Sequence, residues 1–446
     1  MSEFFHSVTL DRDLCHGCIN CVKRCPTEAI RVRDGKAKIL SDRCIDCGEC
    51  IRICPHHAKK PIVDPLSVMD DYEYTIALPA PSLYGQFNNL DDVEIILRAL
   101  VDMGFDDVFE VSRAAELVSD ATRKMLSEGQ LPRPVISSAC PAVVRLIRVR
   151  FPDLIRHILP LQAPVEVAAR LAKREAVART GLAPEKIGCI FISPCAAKVT
   201  AVKMPLGTKK SAIDAVVAIR DVYPKMLGLM KEETSDEKEY LHSGRMGIGW
   251  GSSGGESAAL LNDRYLAADG IENVIRVLED LEDEKLGAVD FVELNACAGG
   301  CVGGVLTVEN PYIAKAKLKR VRKYLPVSCN RVGDGIPRQM KFDTEIQYEP
   351  VLQLDEDITV ALKKLGQIEE ISHMFSGLDC AACGAPSCKA LAEDVVRGYN
   401  TPDACVFLLK DKMKSLASSI AELGDIIPDS LKGKDKAQTP QREEKE

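Results

Sequence analysis

The sequence predicts an α/β protein carrying small cysteine-rich modules at both ends, and three observations support this. From about residue 70 to 365, apolar strand-like runs such as YTIALPA (Tyr74 to Ala80) and AVVAI (Ala215 to Ile219) alternate with helical stretches. That order builds sheets flanked by helices. Val93 to Met103 and Val165 to Ala176 carry apolar residues at helical spacing. On either side of this region the cysteines gather in C-x-x-C runs.

Three apolar runs of the central region break into Pro- or Gly-rich turns at a cysteine: VISSAC (Val135 to Cys140), CIFISPC (Cys189 to Cys195) and FVELNACAGGC (Phe291 to Cys301). They read as buried strands delivering Cys140, Cys195, Cys297 and Cys301 to their carboxyl ends, the edge that forms the ligand crevice of open α/β sheets. Converging thiolates select soft metals, with iron–sulfur clusters or zinc as first candidates. Pro141 is suited to open a helix after Cys140. Gly299 and Gly300 let the backbone approach a bulky inorganic group.

The 446 residues, 46% hydrophobic and 28% charged, suit a globular protein of several domains. No run reaches the roughly 20 apolar residues of a membrane helix, and MSEFFHSVTL has no signal-peptide pattern. The expectation is a cytoplasmic protein without membrane contact. A formal net charge of -8 with scattered Lys and Arg argues against nucleic-acid binding. The 18 cysteines, clustered in a long chain, point to reduced metal ligands rather than disulfides.

Cys15, Cys18, Cys21 and Cys25-Pro26 form a C-x-x-C-x-x-C-x-x-x-C-P run, which Cys44, Cys47, Cys50 and Cys54-Pro55 repeat. The pair resembles the bacterial two-cluster ferredoxin signature. There the fourth cysteine of each run serves the other cluster, so the implied sets are Cys15, Cys18, Cys21, Cys54 and Cys44, Cys47, Cys50, Cys25. Cys380, Cys383, Cys388 and Cys405, around DCAACGAPSC, resemble the small four-cysteine 4Fe-4S domain found beside redox enzymes. Zinc is the alternative there. Cys189, within the apolar GCIFI, reads as a buried small hydrophobe, and Cys329 is expected to be similar.

The central motifs SSACP (Ser137 to Pro141), SPCAAK (Ser193 to Lys198) and ELNACAGGCVGG (Glu293 to Gly304) resemble those of the iron-iron hydrogenase H-domain. The resemblance implies an α/β H-domain of two lobes with mixed sheets flanked by helices, beside a small α+β ferredoxin-like domain and a small C-terminal 4Fe-4S domain. It implies an H-cluster: a 4Fe-4S unit on Cys140, Cys195, Cys297 and Cys301, with the Cys301 sulfur bridging to a di-iron subsite carrying carbonyl, cyanide and a bridging dithiolate. Two ferredoxin-type 4Fe-4S clusters and one C-terminal 4Fe-4S cluster complete the implied cofactors. APS (Ala80 to Ser82), with Pro81 and Ser82, and Lys198 correspond to the groups that hydrogen-bond the cyanides, and an ammonium and a hydroxyl suit such anionic acceptors. The glycine-rich GWGSSGGESAALL (Gly249 to Leu261) resembles the family's turn entering a helix near the site. Four thiolates holding an ordinary cubane, as in a non-hydrogenase iron–sulfur carrier or assembly factor, is the alternative.

The chain departs from the family where protons move. Ala139 stands at the relay cysteine, and a methyl group neither donates nor accepts a proton. The relay glutamates align near Ala121 and Thr122 and the relay serine near Ala163, with Glu256 and Ser138 as substitutes to be placed. Losing a positioned relay group typically costs about 100- to 10,000-fold, so low turnover is expected. Ser193 and Asn295 replace the methionines that face the di-iron unit. These departures resemble the hydrogenases to which a sensory role is attributed, so the expected function is slow, reversible H2 oxidation and proton reduction serving H2 or redox sensing. The alternative is a metabolic, ferredoxin-linked hydrogenase with another proton route.

The expected organisation is a ferredoxin-like domain (1–65), an H-domain (66–367), a C-terminal 4Fe-4S domain (368–408), an amphipathic helix (409–430) and a disordered tail (431–446). Leu409, Met413, Leu416, Ile420, Leu423 and Ile427 recur at three- and four-residue spacing. Such a stripe packs on its own domain, binds a partner, or forms a homodimer. Other implied partners are H2 and protons, a ferredoxin or signalling protein, and hydrogenase maturation proteins.

Overall fold

The computed structural model describes residues 5–88, 90, 92–230 and 239–426. The tail expected at 431–446, and Ile427, lie outside them. The chain forms two compact units, Met1–Gln353 and Leu354–Glu446.

In the first unit, strands β1 (Val8–Leu10), β2 (Ile30–Arg33), β3 (Lys36–Ile39) and β4 (Lys59–Pro61) make two antiparallel pairs, β1 with β4 and β2 with β3. Strands β5 (Tyr74–Pro79), β6 (Asp107–Val108), β7 (Val135–Ile136), β8 (Ile187–Ser193), β9 (Ala215–Ala218), β10 (Tyr265–Asp269) and β11 (Phe291–Asn295) make two larger sheets. Their orders are β6-β5-β8-β9 and β10-β11-β7. Within both, every pairing of named strands is parallel rather than mixed. Parallel neighbours require crossover connections, and the intervening helices provide them.

Strand β8 is buried at every residue of IGCIFIS because helices cover both its faces. Cys189 and Phe191 pack with Val165, Ala168 and Ala172 of the helix Pro164–Thr180. Ile190 and Ile192 face the other way, toward Ile96 and Leu97 of the helix Glu94–Asp102 and Val222 of the helix Ile219–Leu227. In the second sheet, Ile136, Val292 and Leu294 bury against Val143 and Ile147 of the helix Pro141–Arg150 and Val274 and Leu278 of the helix Ile271–Glu282. Each such aliphatic side chain contributes roughly 1.5–3 kcal/mol of burial.

The N-terminal module is stitched to the central region within this unit. Asp46 accepts bonds from Ser7 N (3.0 Å), Val8 N (3.1 Å) and the Thr200 hydroxyl (2.7 Å), while the Ser7 hydroxyl donates to Ala196 O (2.8 Å). Thr200 and Ala196 belong to the helix Ala196–Lys203 that follows Cys195.

The second unit holds the helices Ile358–His373, Cys388–Val396 and Val406–Ile426. The boundary expected at 367/368 therefore falls inside a helix. Ile368 buries against Phe375, Ala390 and Leu391, so that helix belongs to the C-terminal module. On the last helix Leu409, Met413, Leu416, Ile420 and Leu423 are all exposed, so the apolar stripe is not covered by its own unit.

Candidate metal centre

The carboxyl ends of β7, β8 and β11 bring Cys140, Cys195, Cys297 and Cys301 to the wall of one cleft, with about 840 Å³ of empty space. Cys140 and Cys195 sit where extended chain gives way to a helix, and Cys301 opens a 3-10 turn after Gly300. Cys140 precedes the helix Pro141–Arg150, whose first residue is proline, and Cys195 precedes Ala196–Lys203. Strand β7 ends at Ile136, so Ser137 and Ser138 of the VISSAC run lie between the strand and Cys140.

The four sulfurs lie close together. Cys301 is open to the cleft, yet desolvation by the surrounding protein holds its thiol well above its ordinary range, and Cys195, Cys140 and Cys297 add to that by disfavouring a fourth negative charge. Cys195 is pushed up to about 12, first by burial and then by Cys297 and Cys140. A bound cation reverses this penalty, which is the behaviour of a metal-ligand set. Close backbone packing keeps the loops together. A Cβ on Gly304 would lie 2.0 Å from Pro194 O, and Gly300, with φ +87°, packs on Ser253 N, where a Cβ would come within 2.3 Å.

Lys198, half-buried on the cleft wall, donates to Ala139 O at 3.0 Å. Pro81 and Ala139 also line the cleft. Ser82, beside Pro81, is fully buried, and its hydroxyl has no hydrogen-bond partner among the described residues. An ammonium on the wall and an orphaned hydroxyl at its edge fit an anionic guest, since a buried donor left unpaired is costly.

The proton-handling groups are not where alignment with the family put them. Ala121 is fully buried, the Thr122 hydroxyl is spent on Val118 O (2.8 Å), and Ala163 lines a neighbouring cavity instead of the cleft. Ser138 lies along that neighbouring cavity too, and donates to Leu161 O at 2.7 Å. Glu256, by contrast, lines the cleft and accepts from the Ser137 hydroxyl at 2.6 Å, which in turn accepts from Ala139 N at 3.2 Å.

Glu293 also lines the cleft, a position its motif did not announce. Its carboxylate accepts from Gly254 N, Ser257 N and the Asn295 amide, each at 2.9 Å. Burial raises both carboxyls, and Glu293 pushes Glu256 further, well above the usual range. Glu293 has three donors against one for Glu256, so Glu256 is the member that keeps a proton.

Asn295 lines the cleft. Ser193 is buried in its turn, accepting from Cys195 N at 3.1 Å, and does not line the cleft. Trp250, another wall residue without a sequence signal, donates to the Ser119 hydroxyl at 3.0 Å.

In the N-terminal module the thiols act on one another, and Cys50 is acted on by both Cys25 and Cys21. Cys21 is raised to about 11, chiefly by burial, and the thiols acting on it are Cys18, Cys54 and Cys15. Those acting on Cys44 and Cys47 are Cys25 and Cys50. In the second unit Cys380 and Cys405 act on Cys383, and Cys388 shares its apolar cluster. Cys189 is fully buried as expected. Cys329 is not: it is exposed, because its loop runs over the surface and only its backbone N–H is held, by Glu116 at 2.9 Å.

Parallel sheets with thiolates at their carboxyl edge define an iron–sulfur redox protein, and comparison with known proteins gives the family. Residues 73–305 match the iron-only hydrogenase large subunit, C-terminal domain; residues 7–55 match the 4Fe-4S dicluster domain; residues 377–407 match an Fe-S cluster family. The chain belongs to the iron-only hydrogenase family. It is 25% identical over 396 residues to iron hydrogenase 1 of Clostridium pasteurianum, covering 72% of this chain and 69% of that one. Against the periplasmic Fe hydrogenase large subunit of Nitratidesulfovibrio vulgaris it is 25% identical over 361 residues, covering 67% and 86%. Against the HydA1 hydrogenase structure of Chlamydomonas reinhardtii the identity is 16% and the TM-score 0.49, covering 62% of this chain and 95% of that one. Among the described residues no helix is long and apolar enough to cross a membrane.

Proposed function

We propose that the protein is a slow, reversible hydrogenase whose role is to report H2 or redox state. The observation that carries this reading is one cleft lined by four convergent thiols and a cation, with a methyl group at the relay position and the orphaned Ser82 hydroxyl next to the wall residue Pro81. Cys140, Cys195, Cys297 and Cys301 hold the cubane, and Lys198 and Ser82 hold the cyanides of the di-iron unit. When bound, that unit supplies the metal position at which H2 is split heterolytically. Asn295 faces it, while Ser193 steadies the Cys195 turn behind it. Pro81, Val165 and Phe191 make the walls apolar and limit water.

Ala139 moves no proton. The carboxyl linked to residue 139 is Glu256, reached through Ser137. A metabolic hydrogenase with a different proton route is the second reading, and Glu256 on the cleft wall favours it. The two separate on turnover: exchange of H2 with deuterated water and reduction of a dye by H2, in anaerobically matured protein, are both present but slow on the first reading, and fast on the second.

Cys44, Cys47, Cys50, Cys25 and Cys15, Cys18, Cys21, Cys54 would hold two clusters that would supply an electron path between this cubane and a ferredoxin or signalling protein. The cluster on Cys380, Cys383, Cys388 and Cys405 adds a redox-sensitive element. The exposed stripe Leu409, Met413, Leu416, Ile420 and Leu423 supports a homodimer through the last helix. Cytoplasmic localisation, and maturation proteins as suppliers of the di-iron unit, belong to the same reading.

A further inference from the structure

The repeat in the N-terminal module places a lysine where its counterpart has an isoleucine. Setting Cys25-Pro26 against Cys54-Pro55 puts Ala29 against Ala58 and Ile30 against Lys59. Both positions are interior: Ile30 is 2% exposed and Lys59 3%. Ile30 opens β2 and Lys59 opens β4, where it sits opposite Leu10. Its neighbour Lys60 faces solvent and meets Asp11 at 2.8 Å, as strand alternation requires. Register therefore fixes Lys59 inward.

Among the described residues the Lys59 ammonium has no hydrogen-bond partner. A buried cation without a counter-charge is strongly unfavourable, so its partner is a group occupying that interior. The charges that face it are thiols of both ligand sets. Lys59 stabilises the thiolates of Cys15 and Cys21 from one set and Cys50 from the other, each against the penalty of burial.

We propose that Lys59 is the internal counter-ion shared by the two clusters of the N-terminal module, and that its charge raises the reduction potential of both. This rests on the ligand reading above for Cys15, Cys18, Cys21, Cys54 and Cys44, Cys47, Cys50, Cys25. Each cluster takes one electron from a low-potential donor, and no bond forms or breaks. The added negative charge lies near a fixed positive one in a weakly polar interior, which favours the reduced state. Being buried, the interaction is little screened by salt.

The test uses the full chain, anaerobically reconstituted with iron and sulfide and reduced with dithionite under potential control. Signals of the module are assigned by electron paramagnetic resonance as those lost in Cys21→Ser and Cys50→Ser. In Lys59→Met and Lys59→Ile the ratio of reduced to oxidised cluster at fixed potential falls roughly tenfold, a shift of about 59 mV for a one-electron couple. Lys59→Arg keeps the parent ratio, at high and low salt alike. A variant with an apolar residue that loses these clusters while Lys59→Arg retains them also supports a counter-ion. Full iron loading with an unmoved ratio, or equal shifts in Lys59→Met and Lys59→Arg, overturns the role of Lys59 and leaves the ligand reading intact. Parent protein with no iron on these cysteines overturns both.

Discussion

Arg52 Nη2 lies 2.9 Å from the sulfur of Cys297, one of the four thiols of the central cleft. The same nitrogen donates to Gly303 O at 3.0 Å, and Nη1 meets Glu49 at 2.6 Å and Cys47 O at 3.3 Å. One guanidinium therefore joins a ligand loop of the N-terminal module to the central ligand set. Burial raises the Cys297 thiol, and Arg52 opposes that.

A positive donor on a ligand sulfur favours the reduced cubane. Arg52→Gln is expected to lower the reduced fraction of the central cubane about tenfold at fixed potential, about 59 mV. Glu49→Gln, which removes the competing anion, shifts it the other way. A potentiometric titration read by electron paramagnetic resonance, with the signal assigned by Cys297→Ser, checks both signs.

Restoring a thiol at position 139 is expected to do little. Ala139→Cys raises H2 turnover by less than tenfold, because Ala121, Thr122 and Ala163 offer no continuation. Glu256→Gln, by contrast, lowers turnover by about 100-fold or more if its carboxyl carries the proton. Steady-state assays on matured protein with unchanged iron content decide this; a hundredfold gain in Ala139→Cys contradicts the proposed route.

Lys198 is the cation of the cleft, and its loss leaves an anionic guest without a partner. In Lys198→Met, the four cubanes load as in the parent, while incorporation of carbonyl- and cyanide-bearing iron falls at least tenfold. Metal analysis alongside infrared intensity reads the two quantities separately.

Glu110 gives a stability prediction with a defined sign. Buried and raised from 4.5 to about 7, chiefly by burial, it stays protonated in the folded chain after the unfolded chain has released its proton. Below pH 4.5 both states hold the proton and no penalty arises. As pH rises from 4.5 to about 7 stability declines, and above that the penalty is constant. Glu110→Gln is expected to flatten this decline in urea midpoints measured across the same window. An unchanged slope contradicts the assignment.

The sequence made the cysteine framework and the strands that deliver it readable, because spacing and continuous apolar runs are local signals. Tyr74–Pro79 and Ala215–Ala218 emerge almost as their patterns suggest. What escaped was long-range. Glu256 and Glu293 are 37 residues apart and meet only because the helix Gly255–Ala259 packs on β11. Arg52 and Lys59 carry no local sequence signal: contact with the Cys297 loop places the first, and strand register turns the second inward. The boundary near 367 was missed because the helix Ile358–His373 owes its place to Phe375 and Leu391, which come later in the chain.

The central claim is that the cleft holds a carbonyl- and cyanide-bearing di-iron unit beside a cubane. Infrared spectroscopy of anaerobically matured protein, with iron counted on the same sample, tests it directly. The account predicts metal-bound carbonyl and cyanide bands and about 18 iron atoms per chain. Fully loaded cubanes, about 16 iron atoms and no such bands would contradict it.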